Sequence, residues 1–188
     1  MKKTSILLVM LTSLLFAACS KENNGTGTED KYGNSPRSAV PDALAPATWF
    51  YGSFSPLSHY DNAGHELGSD WEAARSYEVT KDGFAEFGQY LGTRTGSCVT
   101  EIYSRLKGTI KFEGNKFTFY PVEGNFKTIR RGCSSNNGTT ERVASGTDLA
   151  PQVYLWKTEV YSGNTFLYVY DVNDTNMESL IFGYDVVK

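Results

Sequence analysis

The stretch TIKFEGNKFTFYPV, residues 109–122, determines how this chain folds. Apolar side chains alternate with other residues on both sides of Gly114-Asn115: Ile110 and Phe112 precede the pair, and Phe117 and Phe119 follow it. A period of two puts such side chains on one face of a strand, and glycine readily takes the positive φ of a tight hairpin turn. The stretch therefore predicts an antiparallel β-hairpin.

The same pattern recurs along the chain. EVTKDGFAEFGQY (78–90) contains the turn Asp82-Gly83, and EVYSGNTFLYVYDV (159–172) contains Gly163-Asn164. The alternation predicts strands at about residues 48–55, 75–81, 84–91, 98–106, 108–113, 116–121, 153–161, 165–171 and 179–186. Helical signal is sparse: residues 69–72 resemble a capping box, and residues 140–145 fit one helical turn in the long connection over 134–151.

Short turns between nearly all neighbouring strands predict an all-β, antiparallel meander of about eight or nine strands. Helices in βαβ order are lacking, which excludes parallel α/β folds. A meander of this length leaves long exposed edges unless it closes, so we expect a small barrel, with a two-sheet β-sandwich as the alternative. An eight-stranded barrel is just wide enough to be filled by side chains or to hold one small ligand.

The first residues carry the features of an export signal. Lys2 and Lys3 precede an apolar run over residues 6–18, which is shorter than the roughly 20 residues that a membrane-spanning helix needs. Phe16-Ala17-Ala18-Cys19 resembles the lipobox of bacterial lipoproteins. The resemblance implies a signal peptide over residues 1–18 and attachment to the membrane through lipidated Cys19. Ser20, where an Asp would mark inner-membrane retention, favours the outer membrane, on its periplasmic face or at the cell surface.

Composition divides the remaining chain into a tether and one domain. Residues 19–46 are rich in Gly, Ser, Thr, Asn and Pro, which is typical of a flexible tether. Residues 47–188 are long enough for a single core, and we expect a monomer. The chain has 18 Lys+Arg against 21 Asp+Glu, and no basic stripe beyond the doublet Arg130-Arg131, which argues against a nucleic-acid partner.

Lipidation of Cys19 leaves two cysteines, Cys98 and Cys133. An even pair in an exported domain predicts a disulfide, and two free buried thiols are the alternative. Neither cysteine has neighbours at metal-ligand spacing, so we expect no metal there.

Motifs that would indicate catalysis are lacking. The sequence contains no nucleophile elbow, zinc-protease helix, phosphate loop or Cys-His arrangement, so we expect no enzymatic activity and no cofactor. His59 and His65 lie in SHYDNAGHELGSD (58–70), whose spacing matches no known metal site and which we interpret as a polar loop at a barrel mouth.

The order of lipobox, tether, TWFYGSF (48–54) and hairpin meander resembles the lipocalin-like lipoproteins of Bacteroidetes-type bacteria. Ala47 stands where lipocalins have the Gly of Gly-x-Trp. The resemblance implies a barrel that binds a small apolar or amphipathic ligand. The chain's 12 Tyr, 11 Phe and 3 Trp suit a pocket wall, for which we select Trp49, Tyr51, Phe87 and Tyr168, or alternatively a cell-surface module that binds a glycan or a protein.

Overall fold

The computed structural model describes residues 32–52 and 71–188, in which nine β-strands form one antiparallel sheet. They are β1 (Ala47–Gly52), β2 (Trp71–Val79), β3 (Phe84–Thr95), β4 (Cys98–Glu113), β5 (Lys116–Arg131), β6 (Gly138–Val143), β7 (Gln152–Tyr161), β8 (Asn164–Asp171) and β9 (Leu180–Val187). A single 3-10 turn, Gly146–Leu149, lies between β6 and β7. Among the described residues, no helix has the length and apolar character needed to cross a membrane.

The sheet closes into a barrel at β5. This strand pairs with β4 along most of its length, and its residues 116–119 also pair with β7. The ring therefore contains eight strands in the order β1-β2-β3-β4-β5-β7-β8-β9, and the β1–β9 pairing completes it. β6 lies outside the ring, paired with residues 125–130 of β5. The predicted antiparallel barrel is confirmed, and the alternative of a two-sheet sandwich is not adopted.

β4 joins two segments that the sequence predicts as separate strands, 98–106 and 108–113. The β4–β5 ladder shifts register between Lys107 and Gly108, which is a bulge that bends the pair without ending it. A Cβ on Gly108 would lie 1.9 Å from the carbonyl oxygen of Tyr120. The absence of a side chain therefore lets the strands approach at the bend.

Both predicted helical turns are corrected. Trp71 begins β2, so the second half of the predicted turn at 69–72 is strand, while residues 69 and 70 lie outside the described ranges. Residues 138–143 form β6, and the helical turn follows later, at Gly146–Leu149. All six residues of β6 are exposed. Because neither face of this strand is buried, its sequence does not alternate between apolar and polar residues, and that alternation is the signal that predicts a strand.

The barrel interior is filled by aromatic and branched side chains. Trp49 on β1 packs against Tyr77 on β2, with ring centroids 5.5 Å apart, and Tyr77 contacts Phe119 at 5.5 Å and Tyr184 at 5.9 Å. These four side chains are at most 1% exposed. The central layer is therefore a packed core, as an eight-stranded barrel permits.

Residues 32–46, which we call the strap, pack against one end of the barrel. Tyr32, Val40 and Leu44 are buried, and the Trp49 indole donates a 2.8 Å hydrogen bond to the carbonyl of Leu44. The main chain also binds the barrel, since the Val40 amide donates to the carbonyl of Lys81 at 3.0 Å. The compact unit thus begins at Tyr32, whereas the composition of the chain predicts a tether over residues 19–46 and a domain that starts at residue 47. The few apolar residues of the strap suffice because they enter an existing core.

Candidate functional site

The four residues predicted to line a ligand pocket lie in three different environments. Trp49 and Phe87 point into the barrel and are 0% and 3% exposed, so both are part of the packed core. Tyr51 also points inward but lies farther from the strap, is 37% exposed, and contacts Phe182 at 5.4 Å. Tyr168 lies on the outer face of β8, because Leu167 and Val169 on either side of it are buried inside. The four residues do not form one pocket.

Of the other predicted sites, the structure describes the disulfide but not the lipidation site or the two histidines. The predicted disulfide is confirmed, since Cys98 and Cys133 are bonded with their Cα atoms 4.2 Å apart. Cys19, His59 and His65 lie outside the described residues. Within residues 32–52 and 71–188, no three His, Cys, Asp or Glu side chains are grouped to hold a metal ion.

A groove of about 570 Å³ runs across the outer face of β1 to β5. Its location follows from register: Tyr77 and Phe87 are opposite each other and point inward, so their neighbours Ser76 and Gly88, also opposite each other, face outward. The lining residues are Phe50, Ala74, Arg75, Ser76, Glu86, Gly88, Gln89, Tyr90, Tyr103, Ser104, Arg105, Asn125, Lys127 and Ile129.

Small residues make the floor of the groove. Ala74, Ser76 and Gly88 are adjacent on the outer faces of β2 and β3, and none extends far from the sheet. A Cβ on Gly88 would lie 2.8 Å from the hydroxyl oxygen of Ser76, so the space above this pair exists because one partner has no side chain. This depression is the feature that sequence reasoning missed. The available signal was a row of small residues at outward-facing positions, which becomes visible only once the strands are aligned.

One wall of the groove is aromatic. The rings of Tyr90 and Tyr103, opposite each other on β3 and β4, have centroids 5.2 Å apart. Burial raises the pKa of Tyr90 to about 12, and the nearby Glu101 carboxylate acts in the same direction. Burial followed by Glu101 also raises the pKa of Tyr103. Both phenols therefore remain neutral at physiological pH. Tyr103 is partly exposed and presents its ring to the groove, whereas Tyr90 is only 3% exposed and supports that ring from behind.

The other side of the groove is polar. Glu86 on β3 forms ion pairs with Arg105 and, at 3.6 Å, with Lys107. A hydrogen bond to Glu86 raises the pKa of Arg105, which stays charged. Lys127, by contrast, is opposite Tyr103 beside the aromatic wall, and it lies 3.5 Å from Glu141 of β6. The groove thus combines aromatic rings with paired charges, so it can contact a molecule that has both apolar and polar parts.

A second outer surface lies on β8. The rings of Phe166 and Tyr168 are nearly parallel, with 13° between their planes and 6.4 Å between their centroids, and both side chains are partly exposed. Tyr168 lies over Gly183 of β9, where a Cβ would meet the ring at 3.3 Å. Lys157 places its ammonium nitrogen 5.8 Å from the Tyr168 ring centroid. We call Phe166 and Tyr168 the aromatic platform.

Comparisons with protein-family models, with curated proteins and with solved structures found no significant match to this chain.

Proposed function

We propose that this chain is a non-enzymatic, lipid-anchored protein of the bacterial cell envelope whose outer groove binds a small amphipathic ligand. The observation that carries the proposal is the groove itself, with its floor at Ser76 and Gly88 and an aromatic wall at Tyr90 and Tyr103. Its volume of about 570 Å³ falls within the range of roughly 300–1,000 Å³ that small-molecule sites occupy.

The location on the outer face follows from the packing of the interior. Trp49, Tyr77 and Phe119 fill the central layer of the barrel, so a ligand held there would have to displace core side chains. The groove needs no such displacement. The apolar part of a ligand would lie against the partly exposed Tyr103 ring, and its polar part would face Glu86 and Arg105.

Ser76→Phe tests the groove, because the new ring would fill the space above Gly88 without touching the core. We expect this variant to bind the neutral fluorescent amphiphile N-phenyl-1-naphthylamine at least about tenfold more weakly than the wild type. Thr48→Phe is the matched control, since Thr48 also precedes an inward residue but is not a lining residue of the groove. Equal binding by wild type and Ser76→Phe would refute the proposal.

If the variant loses binding as expected, native mass spectrometry of the purified protein is the measurement that identifies a natural ligand.

The aromatic platform favours a second candidate function, the binding of a glycan. Near-parallel, partly exposed rings can stack on the apolar face of a sugar ring, and the Lys157 ammonium near the Tyr168 ring could donate to its hydroxyl groups. Affinity electrophoresis in gels containing neutral polysaccharides tests this candidate. Tyr168→Ala should abolish any retardation, while Tyr161→Ala, at an exposed tyrosine on β7, should not. Unretarded wild-type protein across the panel would exclude this candidate.

A further inference from the structure

Arg75 is a cation inside the barrel. It is opposite Tyr51 on β1, and both side chains point inward. The central carbon of its guanidinium lies 4.9 Å from the ring centroid of Phe87 and 4.0 Å from that of Phe182. The charge is therefore held between two aromatic rings at the end of the barrel away from the strap.

No carboxylate compensates this charge within the described residues. None of the ion pairs there includes Arg75. The groups that interact with it electrostatically are the phenols Tyr77, Tyr154 and Tyr184, and the hydroxyls of Tyr77 and Tyr154 also accept hydrogen bonds from the guanidinium. Its Nε is buried and has no hydrogen-bond partner. Asp171, opposite Tyr154 in the β7–β8 ladder, directs its carboxylate to the amide of Asn173 at 2.8 Å.

Arg75 cannot become neutral by losing its proton, because guanidinium stays charged in proteins. Removing it from water without an anionic partner is costly, and ring faces and neutral hydroxyls offset only part of that cost. A bound anion would accept the Nε–H and supply the missing charge. A carboxylate suits the position because guanidinium–carboxylate hydrogen bonds are among the strong, charge-assisted ones.

Among the described residues, side-chain exposure increases towards the end of the barrel away from the strap. Tyr51, directly opposite Arg75, is 37% exposed, whereas Tyr77 and Trp49 one step closer to the strap are fully buried. Phe182 contacts Tyr51 at 5.4 Å and extends the apolar surface beside the cation. A molecule that enters here meets aromatic rings around a single positive charge.

We propose that the barrel mouth at Arg75 is a second binding site, which takes the carboxylate of a small organic acid with an apolar body. The site goes beyond the proposed function. Residue 75 borders the groove, but its guanidinium lies against Phe87 and Phe182 inside the barrel, whereas Ser76 and Gly88 form the groove floor on the outer face. Arg75 donates to the carboxylate through Nε, and Tyr51 and Phe182 contact the apolar part.

The experiment compares two probes of equal chain length, decanoate and decanol, by isothermal titration calorimetry on the mature protein. We expect decanoate to bind at least about tenfold more tightly, because only it carries the charge. Arg75→Met should reduce decanoate binding to the level of decanol. Ser76→Phe is the control. Ser76 follows Arg75 on β2 and its side chain points to the outer face of the barrel, so this variant should leave decanoate binding unchanged.

A second measurement needs no variant. Adding decanoate to the ¹⁵N-labelled wild type should shift the Nε–Hε resonance of one buried arginine saturably, and decanol should not shift it. Equal affinities for the two probes, or an arginine resonance that decanoate leaves in place, would overturn the proposal. Acetate binding as tightly as decanoate would also overturn it, since the site would then hold a simple anion only. Loss of decanoate binding in Ser76→Phe alone would instead assign decanoate to the groove.

Discussion

Asp148 and Arg142 show how two exposed residues fix the end of β6. The Asp148 carboxylate accepts hydrogen bonds from both Arg142 terminal nitrogens, at 2.6 and 3.0 Å, and from the Ser145 amide at 3.0 Å. Arg142 in turn lies 3.9 Å from the centroid of the Phe126 ring. The bidentate geometry makes this pair more specific than an ordinary surface ion pair.

The pair predicts a measurable pH dependence. The Arg142 hydrogen bonds lower the pKa of Asp148 from its ordinary value of 3.8 to about 2. Because the folded-state pKa is depressed, the stabilisation is present above about pH 4 and is lost as the pH falls towards 2. A ¹³C NMR titration of the Asp148 carboxyl should have its midpoint near pH 2. In Arg142→Met the midpoint should move up towards the ordinary value, and an unchanged midpoint would contradict the role of Arg142.

The β4–β5 hairpin is the element that holds the barrel together. One end of it turns at Gly114, whose φ of 62° suits glycine, and the disulfide Cys98–Cys133 joins the other end. Between these points β4 and β5 pair continuously apart from the bulge at Gly108. β3 pairs with β4 up to the disulfide end of the hairpin, whereas β7 pairs only with residues 116–119 of β5. Towards the disulfide, the outer neighbour of β5 is therefore β6.

Removal of the disulfide should therefore destabilise the protein without changing its fold. The bond closes a loop with a sequence separation of 35, which corresponds to up to about 4 kcal/mol in the chain-entropy model. The double variant Cys98→Ser/Cys133→Ser should show a reduced free energy of unfolding in urea. Hydrogen exchange should accelerate first at the open ends of β4 and β5. The variant should be insensitive to reductant, and an unfolding free energy within about 0.5 kcal/mol of the wild type would contradict the prediction.

At the scale of the whole molecule, the strap completes the core. Leu44 is 0% exposed, and its carbonyl accepts the hydrogen bond of the Trp49 indole. Ser38 accepts a 2.8 Å hydrogen bond from the Phe112 amide through its side chain, which attaches the strap to β4. The strap and the barrel thus form one compact unit, and we expect them to unfold together.

The variant Leu44→Ala tests whether the strap contributes to the stability of the barrel. We expect a loss of about 2–4 kcal/mol in the free energy of unfolding, because a fully buried leucine leaves a cavity. Leu180→Ala is the matched control: that leucine is 51% exposed, so its truncation should cost well under half as much. Both variants should unfold in one urea transition by tryptophan fluorescence and by circular dichroism. Equal losses in the two variants would show that the strap is not part of the cooperative core.

The sequence by itself determined the hairpins, because turn glycines and period-two alternation act between neighbours in the chain. Gly114 sets a turn wherever the rest of the molecule lies, and the predicted export signal together with the pair Cys98 and Cys133 sufficed to predict their bond. The tertiary structure decided what depends on distant partners. β6 is a strand because β5 pairs with it, and the strap is ordered because the barrel core receives Leu44.

The groove exists because register aligns Ser76 with Gly88, and Arg75 lies in the barrel mouth because it faces the same way as Tyr77. Composition cannot specify these alignments, since strand pairing between residues far apart in the sequence fixes which side chains meet.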